Sequence, residues 1–109
     1  MSIYASKNGK EETITVTVGE KTRIYNPDFV LGKKIIEFYG DFYHANPLKY
    51  NDDDVILQKT AKDVRENDKE RIEILESAGY AVKVVWENDY VKDKKRIIKE
   101  CLEFIHGIS

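Results

Sequence analysis

Cysteine is almost absent from this chain. Cys101 stands alone among 109 residues, which excludes an intramolecular disulfide and any multi-cysteine zinc site and fits a reducing, cytoplasmic setting. Charge of one sign is not in excess either: 18 Lys and Arg against 20 Asp and Glu leave a net charge of -2. The bulk electrostatic grip of a strongly basic nucleic-acid binder is missing, and any contact with phosphate has to come from a local patch. Long hydrophobic runs are missing too. The opening MSIYASKNGKEE has no apolar h-region, and no stretch approaches the roughly 18 apolar residues that span a bilayer. Neither export by this route nor membrane insertion is expected. Internal repeats and low-complexity segments are also absent.

What is present suits one folded unit over 1–109, since a domain takes roughly 100–200 residues. A 41% hydrophobic and 35% charged composition supplies a core and a solvated surface. Residues 13–18, TITVTV, alternate polar and apolar, which predicts a strand with Ile14, Val16 and Val18 inward. Gly19-Glu20-Lys21 is turn chemistry, and a second strand spans 23–31. Gly32-Lys33 is a Gly-X pair that closes a two-residue hairpin onto a third strand, KIIEFY, ending at Tyr39. After Gly40 the segment DFYHANPLKYNDDD is an irregular loop rich in Tyr, Phe and His, and such loops often carry function.

Ala61, Val64, Ile72 and Leu75 recur at helical spacing and predict a long helix over 55–78, stopped by Gly79. AVKVVW (81–86) reads as a strand and 87–89 as a turn. Residues 91–106 read as a helix with Ile98, Cys101, Leu102 and Ile105 on its apolar stripe, ended by Gly107. The order β-β-β-α-β-α gives an α/β or α+β fold, a mixed sheet with helices packed on it.

Three features stand out against that pattern. A two-residue turn at Gly32-Lys33 sets a register in which Asp28 faces Glu37, and like charges directly opposed destabilise a sheet. A divalent cation turns that repulsion into attraction, because Mg²⁺ takes one or two carboxylates plus waters and phosphate oxygens. The bland alternative is an exposed pair on the solvent face. Asp68 falls on the apolar stripe of the long helix, where a carboxylate is costly unless paired, or else lies at the stripe's edge in solvent. His44 follows the strand that bears Glu37 closely enough to reach the same end of the sheet, although a lone loop histidine is usually incidental.

The run NPDFVLGKKIIEFYGDFYHANP (26–47), with GYAVKVVWEND (79–89) after the helix, resembles the PD-(D/E)xK nuclease superfamily. Within it, the chain is similar to the very-short-patch-repair endonucleases and the EDxHD homing endonucleases over about residues 23–90. The resemblance implies a restriction-endonuclease-like fold and a Mg²⁺-dependent endonuclease, with Mn²⁺ as a substitute, acting on double-stranded DNA as a monomer or homodimer. It makes Asp28 the first metal-binding aspartate and Glu37 the acid of the (D/E)xK half, with the Phe38 carbonyl as a third metal contact. It makes His44 a general acid or base and Asp68 its helix-borne partner in the active site, with Asp41 in the outer shell.

The chain departs from the family's pattern in two places. Tyr39 stands where the superfamily's lysine usually sits, and the acid-bearing helix that precedes the first strand in the family is expected to be missing, with Glu11, Glu12 and Glu20 poor substitutes. Phe42 and Tyr43 are candidates for stacking on bases, with core packing the alternative for Phe42. Lys33, Lys34, Lys59, Lys62 and the run 92–96 are candidates for phosphate contact, with a solvated face as the alternative. A rival reading is a non-catalytic nucleic-acid-binding or assembly module that keeps a nuclease fold.

Overall fold

The computed structural model describes residues 13–107, and they fold as an α+β protein. The alternating TITVTV forms β1 (Ile14–Val18), which Gly19-Glu20 turns back into β2 (Lys21–Tyr25). Ile14 and Val16 are buried as expected, but Val18, the last residue before the turn, is half exposed. The expected strand 23–31 is broken in two. Pro27 has no N–H for a ladder and a fixed φ, and the chain bends at Asn26-Pro27-Asp28 before β3 (Phe29–Leu31).

The turn at Gly32-Lys33 then sets Leu31 opposite Lys34, Val30 opposite Ile35 and Phe29 opposite Ile36 in β4 (Lys34–Tyr39). Strand β4 is central. It pairs antiparallel with β3 and parallel with β7 (Ala81–Trp86), giving a mixed three-stranded sheet in the order β3-β4-β7.

The helical boundaries depart from the sequence pattern in two places. Residues 55–60, expected to open the long helix, form a hairpin of β5 (Val55–Ile56) and β6 (Lys59–Thr60). Helix α1 (Ala61–Ser77) starts only where the Thr60 hydroxyl accepts the Asp63 N–H at 3.2 Å, the usual N-cap geometry. Residues 87–89 are helical rather than a turn, and the expected helix 91–106 is two. Helix α2 (Glu87–Lys92) ends at Asp93, whose carboxylate caps α3 (Lys94–His106) by accepting the Arg96 N–H at 3.2 Å. The paired hairpins β1-β2 and β5-β6 are sheets of their own, so the strands form three sheets rather than one.

Helix α1 and the β1-β2 hairpin cover one face of the central sheet, where Ile14, Val16, Tyr25, Ile35 and Leu75 form one core cluster. Helix α3 covers the other face, with Ile36, Val85, Ile97 and Cys101 between them. Ile97 rather than Ile98 is the inward residue, and Leu102 is exposed. Two adjacent isoleucines leave the stripe ambiguous by one position, and packing on Ile36 and Val85 selects Ile97. A third cluster, Ala45, Ile56 and Ala61, anchors the long loop to the start of α1. Among the described residues no helix is long and apolar enough to cross a membrane.

Leu75 is fully buried between the helix and β4. Leu75→Ala is expected to cost about 2–5 kcal/mol in urea denaturation; a loss below about 0.5 kcal/mol, typical of surface substitutions, would show that the α1 layer is not packed as described.

Candidate functional site

Alternation along β4 sends Ile35, Glu37 and Tyr39 to the α1 side of the sheet and Lys34, Ile36 and Phe38 to the α3 side. Glu37 is therefore a carboxylate inside an apolar layer, only 6% exposed. Burial pushes its carboxyl above the usual carboxylate range, Arg71 on α1 pulls it down, and the nearby Asp28 pushes it up again, with a net rise. A raised carboxyl contributes stability below its ordinary pKa and loses it as pH rises through the folded value, so ionised Glu37 costs the fold stability. Arg71 limits that cost, its Nη2 donating to Glu37 Oε1 at 2.9 Å.

Asp28 sits one residue before the β3 ladder, at the bend, rather than as a ladder partner of Glu37. Its Oδ2 accepts the Phe38 N–H at 2.7 Å. The two carboxylates still feel each other, so the repulsion expected from the register is present, but the protein's own guanidinium already offsets part of it. The Phe38 side chain lies edge-on to Tyr90 at 5.5 Å.

His44 and Asp68 meet. His44 Nδ1 and Asp68 Oδ2 are 2.9 Å apart, both side chains being only partly exposed. An ionised carboxylate only accepts hydrogen bonds, so Nδ1 carries the proton and Nε2 is left as the basic nitrogen. The imidazole also stacks on Tyr39, with ring centroids 4.0 Å apart and planes 5° from parallel, and Trp86 abuts Tyr39 edge-on at 5.2 Å. Tyr39 thus supports the histidine ring. Burial pushes the Tyr39 phenol strongly up, and Asp68, Glu37 and Asp28 push it further against Arg71. It stays protonated, with no hydrogen-bond partner for its buried hydroxyl among the described residues. Asp28, Glu37, His44, Asp68 and Arg71 therefore share one electrostatic neighbourhood around the C-terminal half of β4.

The loop that carries His44 is held by Asp41. Its Oδ1 accepts from Asn46 Nδ2 at 2.8 Å and, more weakly, from the Asn88 N–H at 3.3 Å, and its Oδ2 accepts from Lys49 Nζ at 2.9 Å. The Asp41 N–H donates to Glu87 Oε1. Asp41 therefore ties the loop to the start of α2. Burial pushes the Asp41 carboxyl up, but the hydrogen bonds from Asn46, Lys49 and Asn88 outweigh it and hold the group below its usual value.

The basic candidates divide. Lys34 Nζ donates to the carbonyls of Phe104 and Ile105, at 2.6 and 3.2 Å, closing the C-terminus of α3. Lys33 lies over the Tyr80 ring at 4.3 Å. Both are at the start of β4, and Lys34 lies about 16 Å along the strand from Tyr39, so the structure does not bring them to the site. Lys59 and Lys62 are exposed near the start of α1, Tyr43 is exposed, and Phe42 is part exposed against Tyr43 and Tyr50. In the run 92–96, Arg96 is paired with Asp93 and Glu100. Glu20 lies in the β1-β2 turn, away from these residues in the chain, and Glu11 and Glu12 lie outside the described residues.

Among the described residues no group of three or more His, Cys, Asp and Glu side chains gathers closely enough to hold a metal ion by itself. Asp28 and Glu37 nevertheless suit a Mg²⁺ ion of the kind completed by water and phosphate oxygens. One oxygen of each is bonded within the protein, Asp28 Oδ2 to the Phe38 N–H and Glu37 Oε1 to Arg71, and the mutual repulsion of the two carboxylates is what a cation would relieve. Sequence reasoning missed Arg71. Its signal was its place three residues after Asp68, which puts the two on neighbouring positions of one helix face. Compared with known proteins, the chain matches no family model, no curated protein and no solved structure.

A depressed carboxyl contributes stability above its ordinary pKa and loses it as pH falls through the folded value. Asp41→Asn is accordingly expected to cost about 1–3 kcal/mol at pH 7, with the deficit narrowing once the pH falls below 3.8. Urea denaturation of both proteins across pH checks this, and a deficit independent of pH would show that the charge is not what ties the loop down.

Proposed function

We propose that the chain is a Mg²⁺-dependent DNA endonuclease domain with a restriction-endonuclease-like fold. The observation that carries this reading is the His44–Asp68 pair at 2.9 Å, in the same electrostatic neighbourhood as the coupled carboxylates Asp28 and Glu37. Asp28, Glu37 and the Phe38 carbonyl would hold the cation. Bound there, Mg²⁺ would polarise a scissile phosphate and lower the pKa of an attacking water.

His44 Nε2 takes the proton of that water as general base, while Asp68 fixes the tautomer and steadies the imidazolium that forms, the logic of every histidine oriented by a carboxylate. Tyr39 holds the ring plane by stacking. Arg71, next to the site, neutralises Glu37 before DNA arrives and is within the same neighbourhood to meet a phosphate. A second reading, a non-catalytic nucleic-acid-binding module, is favoured by Arg71 already satisfying one oxygen of Glu37 and by the lack of a third metal-binding side chain among the described residues.

A plasmid-nicking assay separates the two. Asp28→Asn keeps an oxygen for the Phe38 N–H and is expected to fold normally, yet to lose cleavage by about 10²–10³-fold, the scale of removing one charge-stabilising group. His44→Ala and Asp68→Asn are each expected to slow cleavage strongly, and the double variant to lose far less than the product of the two, because groups that act as a unit are non-additive. No Mg²⁺-dependent nicking by the wild-type protein would leave the binding module as the reading; multiplying losses would separate Asp68 from His44.

A further inference from the structure

Three tight hairpins share one geometry. Each has a two-residue loop, as the pairs Val18 with Lys21, Leu31 with Lys34 and Ile56 with Lys59 show. Each has its first loop residue in the left-handed region: Gly19 at φ +64°, Gly32 at +61° and Leu57 at +60°. Glycine takes that position in two of the three, as expected of a residue without a Cβ penalty. Leucine in the third is strained, by about 1–2 kcal/mol, and no packing explains it, since Leu57 is 69% exposed. Non-glycine residues held in such conformations cluster at functional sites.

The strained tip opens onto the catalytic pair. Leu57, Gln58 and Lys59 line one side of a groove of about 700 Å³ whose other walls include Tyr43, Asn67 and Asp68. Asp68 is the residue bonded to His44. Neither the Gln58 nor the Asn67 side-chain amide has a hydrogen-bond partner among the described residues, and both residues are exposed. A side-chain amide presents a donor and an acceptor side by side, the pattern that matches the N6 and N7 atoms of adenine. Lys59 beside them suits a phosphate.

Resting on the nuclease reading and extending it to specificity, we propose that the β5-β6 hairpin is a DNA-reading element. In it Leu57 holds the tip against the nucleic acid, and Gln58, with Asn67 opposite, recognises an adenine edge beside the scissile phosphate.

The test is binding of a duplex library with a randomised seven-base-pair segment, selected in Ca²⁺ in place of Mg²⁺, by the wild type, Gln58→Ala and Leu57→Gly. The wild type should enrich adenine at one position by roughly five- to hundredfold, and Gln58→Ala should flatten that position alone. Leu57→Gly relieves the strain, so its melting temperature should equal or exceed that of the wild type while its DNA affinity falls. Equal enrichment by wild type and Gln58→Ala, or unchanged affinity in Leu57→Gly, would overturn the proposal. Adenine enrichment without Mg²⁺-dependent cleavage would support the reading element and overturn the nuclease; cleavage with no base preference would do the reverse. A wild-type protein that binds none of the library would overturn both.

Discussion

A carboxylate buried on the central strand governs the middle of this structure. Glu37 points into the layer between β4 and α1 because strand alternation puts it on the same side as Ile35 and Tyr39. A buried charge is tolerated only when it is paired, and the partner has to come from the layer above. Helix α1 supplies Arg71, and the same stretch of helix delivers Asp68 to His44. The pairing that makes Glu37 tolerable and the pairing that orients the histidine are thus consequences of how one helix lies on one strand.

Around that centre, polar contacts do what apolar packing alone cannot. The loop after β4 has no regular backbone ladder over most of its length, yet His44 sits in a defined place. Asp41 ties the loop to α2, and Arg65 donates to the carbonyls of Ala45 and Tyr50. The small cluster of Ala45, Ile56 and Ala61 closes its far end. Ala45, directly after His44, is held at φ +51°, a conformation an alanine keeps only when its surroundings dictate it. The histidine is positioned by a loop held at several independent points, and its ring is then clamped between Asp68 and Tyr39.

The same surroundings give Tyr39 a part that its chemistry alone does not suggest. Burial among carboxylates keeps this phenol neutral. Its flat ring offers a stacking surface to the imidazole and meets Trp86 in a T-shaped contact. Charge near Glu37 comes from Arg71, so compensating charge and ring stacking around His44 are supplied by residues on different elements.

The sequence by itself determined the local elements whose signals are local. Alternation marked β1, short apolar runs marked β4 and β7, the Gly32-Lys33 pair set the β3-β4 register, and Gly79 and Gly107 marked helix ends. It also singled out Asp28 and Glu37 through the hairpin register, Asp68 as a charge on an apolar stripe, and His44 by its place just after the strand that bears Glu37. What it did not determine depended on partners distant in the chain. The hairpin at 55–60 was hidden because Leu57 occupies a turn position where glycine is the readable signal. The break at Asp93 and the choice of Ile97 over Ile98 were decided by capping and by packing on Ile36 and Val85. Lys34 looked free until α3 placed its carbonyls over it, and Arg71 looked like any surface arginine until α1 lay across β4. Periodicity reports which face a residue occupies; only the packed layers decide what that face meets.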